Sequence, residues 1–91
     1  MLTVTFYTAS WCASCKLLKP HWVRYVSEHK GEATFRVVEE DTAPGVVKAA
    51  MVQSFPTVII ADKKTEIGRI TNAPKTYTQF KKSLDPYLPT A

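Results

Sequence analysis

The chain has 91 residues, of which 45% are hydrophobic, with a formal net charge of +4 and two cysteines. That length holds one domain, read here over residues 1–91, with one modest core. No run approaches the roughly 18 consecutive apolar residues of a membrane span, and the N-terminus lacks a basic region leading to an apolar signal core, which favours the cytoplasm over a membrane.

Leu2 to Tyr7 alternates apolar residues with Thr and is rich in β-branched and aromatic types, which predicts a strand. It leads into Trp11-Cys12-Ala13-Ser14-Cys15-Lys16, which holds both cysteines of the chain. From Cys12 to about His29, Leu18, Trp22, Tyr25 and Val26 recur at helical spacing, with Ser10 as the expected N-terminal cap. Pro20 removes a backbone donor inside this helix and predicts a kink. Gly31 ends the helix, and Thr34 to Glu39 reads as a second strand. The acidic run Glu39-Glu40-Asp41 and a turn at Pro44-Gly45 follow, then a short helix from Val46 to Gln53. Val58-Ile59-Ile60 forms a compact apolar strand entered through Phe55-Pro56-Thr57. Asp62 to Lys64 makes a polar turn into a strand from Glu66 to Ile70. The last element, about Lys75 to Leu88, is an amphipathic helix with Tyr77, Phe80, Leu84 and Leu88 near one face.

The predicted order is therefore β-α-β-α-β-β-α. A strand–helix–strand passage favours a parallel pair with a right-handed crossover, whereas the short turn at Asp62 to Lys64 requires an antiparallel hairpin. The expected fold is α/β, with a four-stranded mixed sheet flanked by three helices.

Two thiols separated by two residues, just after a strand and at the start of a helix, suggest redox chemistry. The first can attack a disulfide and the second can resolve the mixed disulfide. A purely structural bridge is weak here, because so small a loop barely constrains the unfolded chain. A metal or iron–sulfur site lacks partners: His21 lies six residues beyond Cys15 and His29 further still. The lysines Lys63, Lys64, Lys75, Lys81 and Lys82 and the acidic run read as solvated surface, and no basic stripe interleaved with aromatics points to nucleic acid. A binding module in which the thiols are bystanders is the remaining alternative.

Across nearly the whole chain the pattern resembles the thioredoxin superfamily. Trp11-Cys12-x-x-Cys15-Lys16 is similar to its active site, Pro20 to its helix-kinking proline, and Phe55-Pro56-Thr57 to the segment that carries its cis-proline. The first strand feeds directly into the cysteines, without the extra strand and helix with which thioredoxins usually begin, so the chain reads as a trimmed form. Glutaredoxins share that economy but commonly carry Pro-Tyr between the cysteines and a Gly-Gly near the last helix. Here Ala13-Ser14 and Asn72-Ala73-Pro74-Lys75 stand in those places. The resemblance is closer to thioredoxin, with a glutathione-dependent, glutaredoxin-like activity as the rival.

The resemblance implies a protein-disulfide reductase with Cys12 as nucleophile and Cys15 as the deeper, resolving thiol. It implies no bound cofactor or metal, a Cys12–Cys15 redox disulfide, and electrons from a thioredoxin reductase with NADPH or from glutathione. The partners are disulfide-bearing substrate proteins, and the chain is expected to be a monomer. Cys12 at a helix N-terminus, with its sulfur partly exposed, should favour thiolate. Lys16 and Lys19 either add electrostatic support or simply point into water. Ser14 restores a backbone N–H where the family has proline, and its hydroxyl can donate toward a thiolate. A cis bond at Phe55-Pro56 would free main-chain groups of Phe55 to pair with an extended substrate. Trp11, Phe55, Asn72 and Ala73 would rim an apolar groove, with Trp11 and Phe55 alternatively ordinary core aromatics. The family's buried aspartate and its companion lysine correspond here to Phe6 and a position near Val37, leaving Cys15 without the usual proton route.

Overall fold

A computed structural model describes residues 1–88. The elements are β1 (Leu2–Thr8), α1 (Ala13–Glu28), β2 (Thr34–Glu39), α2 (Pro44–Ala49), β3 (Thr57–Asp62), β4 (Thr65–Ile70) and α3 (Tyr77–Leu84), followed by a 3₁₀ turn at Asp85–Tyr87. The sheet order is β2-β1-β3-β4. β1 and β2 are parallel, with Thr8 opposite Glu39. β3 is antiparallel to both β1 and β4, with a register shift between Ile60 and Ala61. This is the mixed sheet that the element order predicted.

Strand alternation sends side chains to two faces. Val4, Phe6, Val58 and Ile60 meet Leu18, Trp22 and Tyr25 of α1 and Phe80 and Leu84 of α3 in the larger core. Tyr7, Val38 and Ile59 meet Val47 and Val52 on the side of α2. At the far end of α1, the Tyr25 hydroxyl donates to Asp85 Oδ1 at 2.8 Å, and the Tyr25 ring stacks on His29 with centroids 3.8 Å apart. Burial, and then that bond to Asp85, raise the Tyr25 hydroxyl well above its ordinary pKa, so it stays a donor.

Several boundaries differ from expectation, for local reasons. Ser10 does not cap α1. Cys12 does: it is extended (φ −94°, ψ 108°) and its sulfur accepts from the backbone N–H of Cys15. α1 holds Pro20 within its span, as expected, and ends at Glu28, with His29 as its C-terminal cap. Pro44 and Gly45 are not a turn before α2 but its first residues, since proline's missing N–H costs nothing in a first helical turn. α2 stops at Ala49 rather than Gln53. Met51 takes a left-handed φ of 57°, and the Arg69 guanidinium donates to the carbonyls of Ala50 (2.9 Å) and Met51 (3.0 Å) that the helix leaves unpaired. α3 is shorter than Lys75 to Leu88. Thr76 caps it by accepting from the Gln79 N–H at 3.2 Å, and Pro86, which has no N–H to donate back, turns the chain into the 3₁₀ segment. β3 and β4 extend beyond the predicted cores to Thr57–Asp62 and Thr65–Ile70.

At Gly68 in β4 a side chain would have to displace a neighbour. A Cβ built there would overlap the ring of Tyr87, which lies across the strand. Gly68→Ala should cost about 1–3 kcal/mol by overpacking. Denaturant unfolding should show that loss, and Gly68→Ala combined with Tyr87→Ala should show a smaller Gly68 effect; equal effects in both backgrounds would refute the overlap.

Candidate redox site

β1 ends at Thr8, and the next four residues turn into α1. The turn is closed by the Cys12 N–H donating to the Ala9 carbonyl at 3.1 Å. The Cys15 N–H then donates to Cys12 Sγ at 3.1 Å. Cys12 and Cys15 are joined as a disulfide with Cα atoms 5.3 Å apart, and neither cysteine is free. Cys15 is 2% exposed and Cys12 only 6%. In this oxidised form Cys12 is thus more covered than the expected partly exposed sulfur, although Cys15 is still the deeper of the two.

Trp11 stands beside the pair with 66% of its surface exposed. Its ring meets half-buried Phe55 edge-on, with centroids 5.5 Å apart and planes at 83°. Ala13, Ser14 and Lys16 are exposed on the first turn of α1, as is Lys19 beyond them. The Phe55-Pro56 bond is cis. Pro56 and Thr57 are buried, and the Thr57 hydroxyl donates to the Ser54 carbonyl at 2.7 Å. Asn72 and Ala73 are exposed in the loop after β4. Asn72 follows two residues after Ile70, which pairs with Val58 at the end of the β3–β4 ladder.

The acidic run, read from sequence as solvated surface, holds this loop in place. Parallel β1 and β2 end at the same edge of the sheet, so the residues that follow them are neighbours. Glu40 N–H donates to the Thr8 carbonyl at 2.9 Å. Asp41 accepts from the Ser10 hydroxyl at 2.6 Å and from its N–H at 3.0 Å, and Glu40 accepts from Trp11 Nε1 at 3.2 Å. The Ser10 hydroxyl first, and its N–H second, hold the Asp41 carboxyl below the usual aspartate range. Three acidic residues at the carboxyl end of a strand parallel to the one feeding the cysteines were the available signal.

Behind Cys15 lies a pocket of about 180 Å³, lined by Phe6, Thr8, Ala9, Ser10, Cys15, Lys16, Lys19, Trp22, Val37 and Glu39. Phe6 is 1% exposed and packs on Trp22 with ring centroids 5.5 Å apart. Neither it nor Val37 can take up a proton. Buried His29 donates its Nδ1–H to the Tyr25 carbonyl (2.9 Å) at the other end of α1, and His21 lies against Tyr77. Among the described residues no three metal-ligating side chains converge, and no helix is long and apolar enough to cross a membrane.

A family model described as thioredoxin matches residues 1–86. The chain belongs to the thioredoxin family. It is 32% identical over 68 residues to thioredoxin C-3 of Corynebacterium nephridii, which covers 75% of this chain and 46% of that protein. It is also 30% identical over 67 residues to a bifunctional thioredoxin reductase/thioredoxin of Mycobacterium leprae, covering 74% of this chain and 15% of that one. The chain spans about half the length of the first thioredoxins it matches. Among solved structures, the oxidised mitochondrial thioredoxin 3 of Saccharomyces cerevisiae superposes with a TM-score of 0.80 at 25% identity, over 93% of this chain and 77% of that one. The fold is thioredoxin-like, and in it Cys12 caps the first helix while Cys15 lies in that helix's first turn.

Proposed function

We propose that this thioredoxin-family chain, acting as one domain over residues 1–91, is a thiol–disulfide oxidoreductase that reduces disulfides of other proteins. The observation that carries the reading is that Cys12 caps α1 while bonded to Cys15. A sulfur at that cap receives a backbone N–H and the positive end of the helix, both of which favour thiolate. In the reduced protein the Cys12 thiolate attacks one sulfur of a substrate disulfide and expels the other as thiolate. Cys15 then attacks Cys12, the substrate leaves with both its sulfurs reduced, and the Cys12–Cys15 disulfide remains.

Trp11, Phe55, Asn72 and Ala73 rim the contact surface, and Ala13, Ser14, Pro56 and Thr57 line the approach to Cys12. The extended segment at Phe55 offers main-chain groups to a substrate strand. Lys16 adds positive charge one turn beyond Cys12. The reading has no bound cofactor. Its electron donor is a thioredoxin reductase using NADPH, a pairing supported by the fused reductase relative, and its setting is the reducing cytoplasm, as a monomer.

Insulin disulfide reduction tests this. With dithiothreitol as donor the protein should speed precipitation of the insulin chains, and a thioredoxin reductase with NADPH should replace dithiothreitol where glutathione with glutathione reductase does not. Support by glutathione alone would move the assignment to the glutaredoxin-like activity, and no acceleration with any donor would leave a binding module.

A further inference from the structure

We infer that Glu39 accepts the Cys15 proton during the resolving step, through water in the pocket that the two side chains share. The inference rests on the reading of Cys15 as the resolving thiol. At 2% exposure, Cys15 has little direct contact with bulk solvent, yet its S–H must ionise before it can attack. The pocket behind it measures about 180 Å³, far above the roughly 10–15 Å³ that one water needs.

The pleat puts Glu39 on the correct side. Phe35 packs on Trp22 of α1, so Val37 and Glu39, two and four residues on, face α1 as well. Glu39 also sits opposite Thr8, the last residue of β1 before the cysteine turn. The charged groups facing it are Lys16 and Lys19 of α1; a lysine ammonium holds its proton at neutral pH and is no base. On its own strand and the following loop, Glu40 and Asp41 are bonded to Trp11 and Ser10. The Ser10 hydroxyl, given to Asp41, can relay a proton but not keep one. Among the described residues that line the pocket, Glu39 carries the one carboxylate.

The step balances. The Cys15 S–H bond breaks and its proton passes through water to the Glu39 carboxylate. The sulfur electron pair forms the bond to Cys12 Sγ, and the Cys12–substrate S–S bond breaks with its pair leaving on the substrate thiolate. Glu39 then returns the proton to solvent.

The sign of the effect separates this role from a bystander charge. A carboxylate that acted only as a nearby negative charge would disfavour the Cys15 thiolate, so neutralising it would accelerate resolution. A proton acceptor gives the opposite result. The test mixes reduced protein with a small aromatic disulfide that releases one coloured thiolate when Cys12 attacks and a second when Cys15 resolves the adduct. Relative to the first release, Glu39→Gln should slow the second about tenfold near neutral pH, below the roughly hundredfold of a directly bonded general base because water shares the task. Its rate should then rise in proportion to hydroxide, and Glu39→Asp should restore most of the wild-type rate and pH profile. An unchanged or faster second release in Glu39→Gln overturns the role of Glu39 while leaving the proposed function standing. A wild-type protein that releases one thiolate only overturns both.

Discussion

Cys15→Ser should accumulate as a covalent adduct with its substrate. The variant keeps the Cys12 sulfur at the cap of α1, where the residue 15 N–H, a backbone group, still donates to it. Attack by Cys12 therefore proceeds, but the serine hydroxyl, ionised far less readily than a thiol, cannot release the mixed disulfide. Turnover should fall on the order of 10⁴-fold or more, as when one member of a concerted catalytic set is removed. Mass spectrometry and non-reducing electrophoresis should show protein and substrate joined through residue 12, and added dithiothreitol should part them. Cys12→Ser should be equally inactive and form no adduct. If Cys15→Ser forms no adduct while still reducing insulin, the assignment of the two thiols is wrong.

The largest structural effect is expected at Phe80. It is 0% exposed and meets the ring of Tyr25 edge-on, with centroids 5.7 Å apart, so it ties α3 to the helix that carries the cysteines. Phe80→Ala removes that contact and leaves a cavity, at a cost of about 3–5 kcal/mol. A domain of this size has roughly 5–14 kcal/mol in total, so the variant should lose about a fifth of its stability or more. Its midpoint of thermal unfolding should fall by at least about 12 °C. A shift of a degree or two would mean that α3 is not a principal wall of the core.

Much of this fold was legible because the strong local signals agree with the tertiary answer. The alternation of Leu2 to Tyr7 and the apolar run Val58 to Ile60 became strands, and the short Asp62–Lys64 turn demanded the antiparallel pair that forms. Element ends were less legible because they depend on partners distant in sequence. α2 stops where Arg69 of β4 takes over its carbonyls, a bond spanning about twenty residues that no local pattern announces. The cap of α1 differs from the local expectation for a similar reason. Ser10 has good capping chemistry, but Asp41 claims its hydroxyl, and the sulfur of Cys12 takes the capping place.

The same distinction holds at the site. The cysteine pair, the tryptophan before it and the Phe55-Pro56-Thr57 segment announce themselves through residue type and spacing. The anchoring of the loop by Glu40 and Asp41 does not, because it follows from two parallel strands ending side by side. Phe6 was legible as a missing carboxylate, but the pocket that Cys15 shares with Glu39 is built from β1, β2 and α1 together, and no local pattern announces it.

The Cys12–Cys15 bridge uses every cysteine in the sequence. One dithiol converted to one disulfide transfers two electrons, and the chain has no second pair in which to hold more. In the proposed reaction each substrate disulfide therefore discharges the molecule completely, and no second substrate can be served until a donor has recharged it. Its throughput in a cell would follow the rate at which one small surface around Trp11 alternates between two kinds of partner, and substrate and donor must compete for that surface.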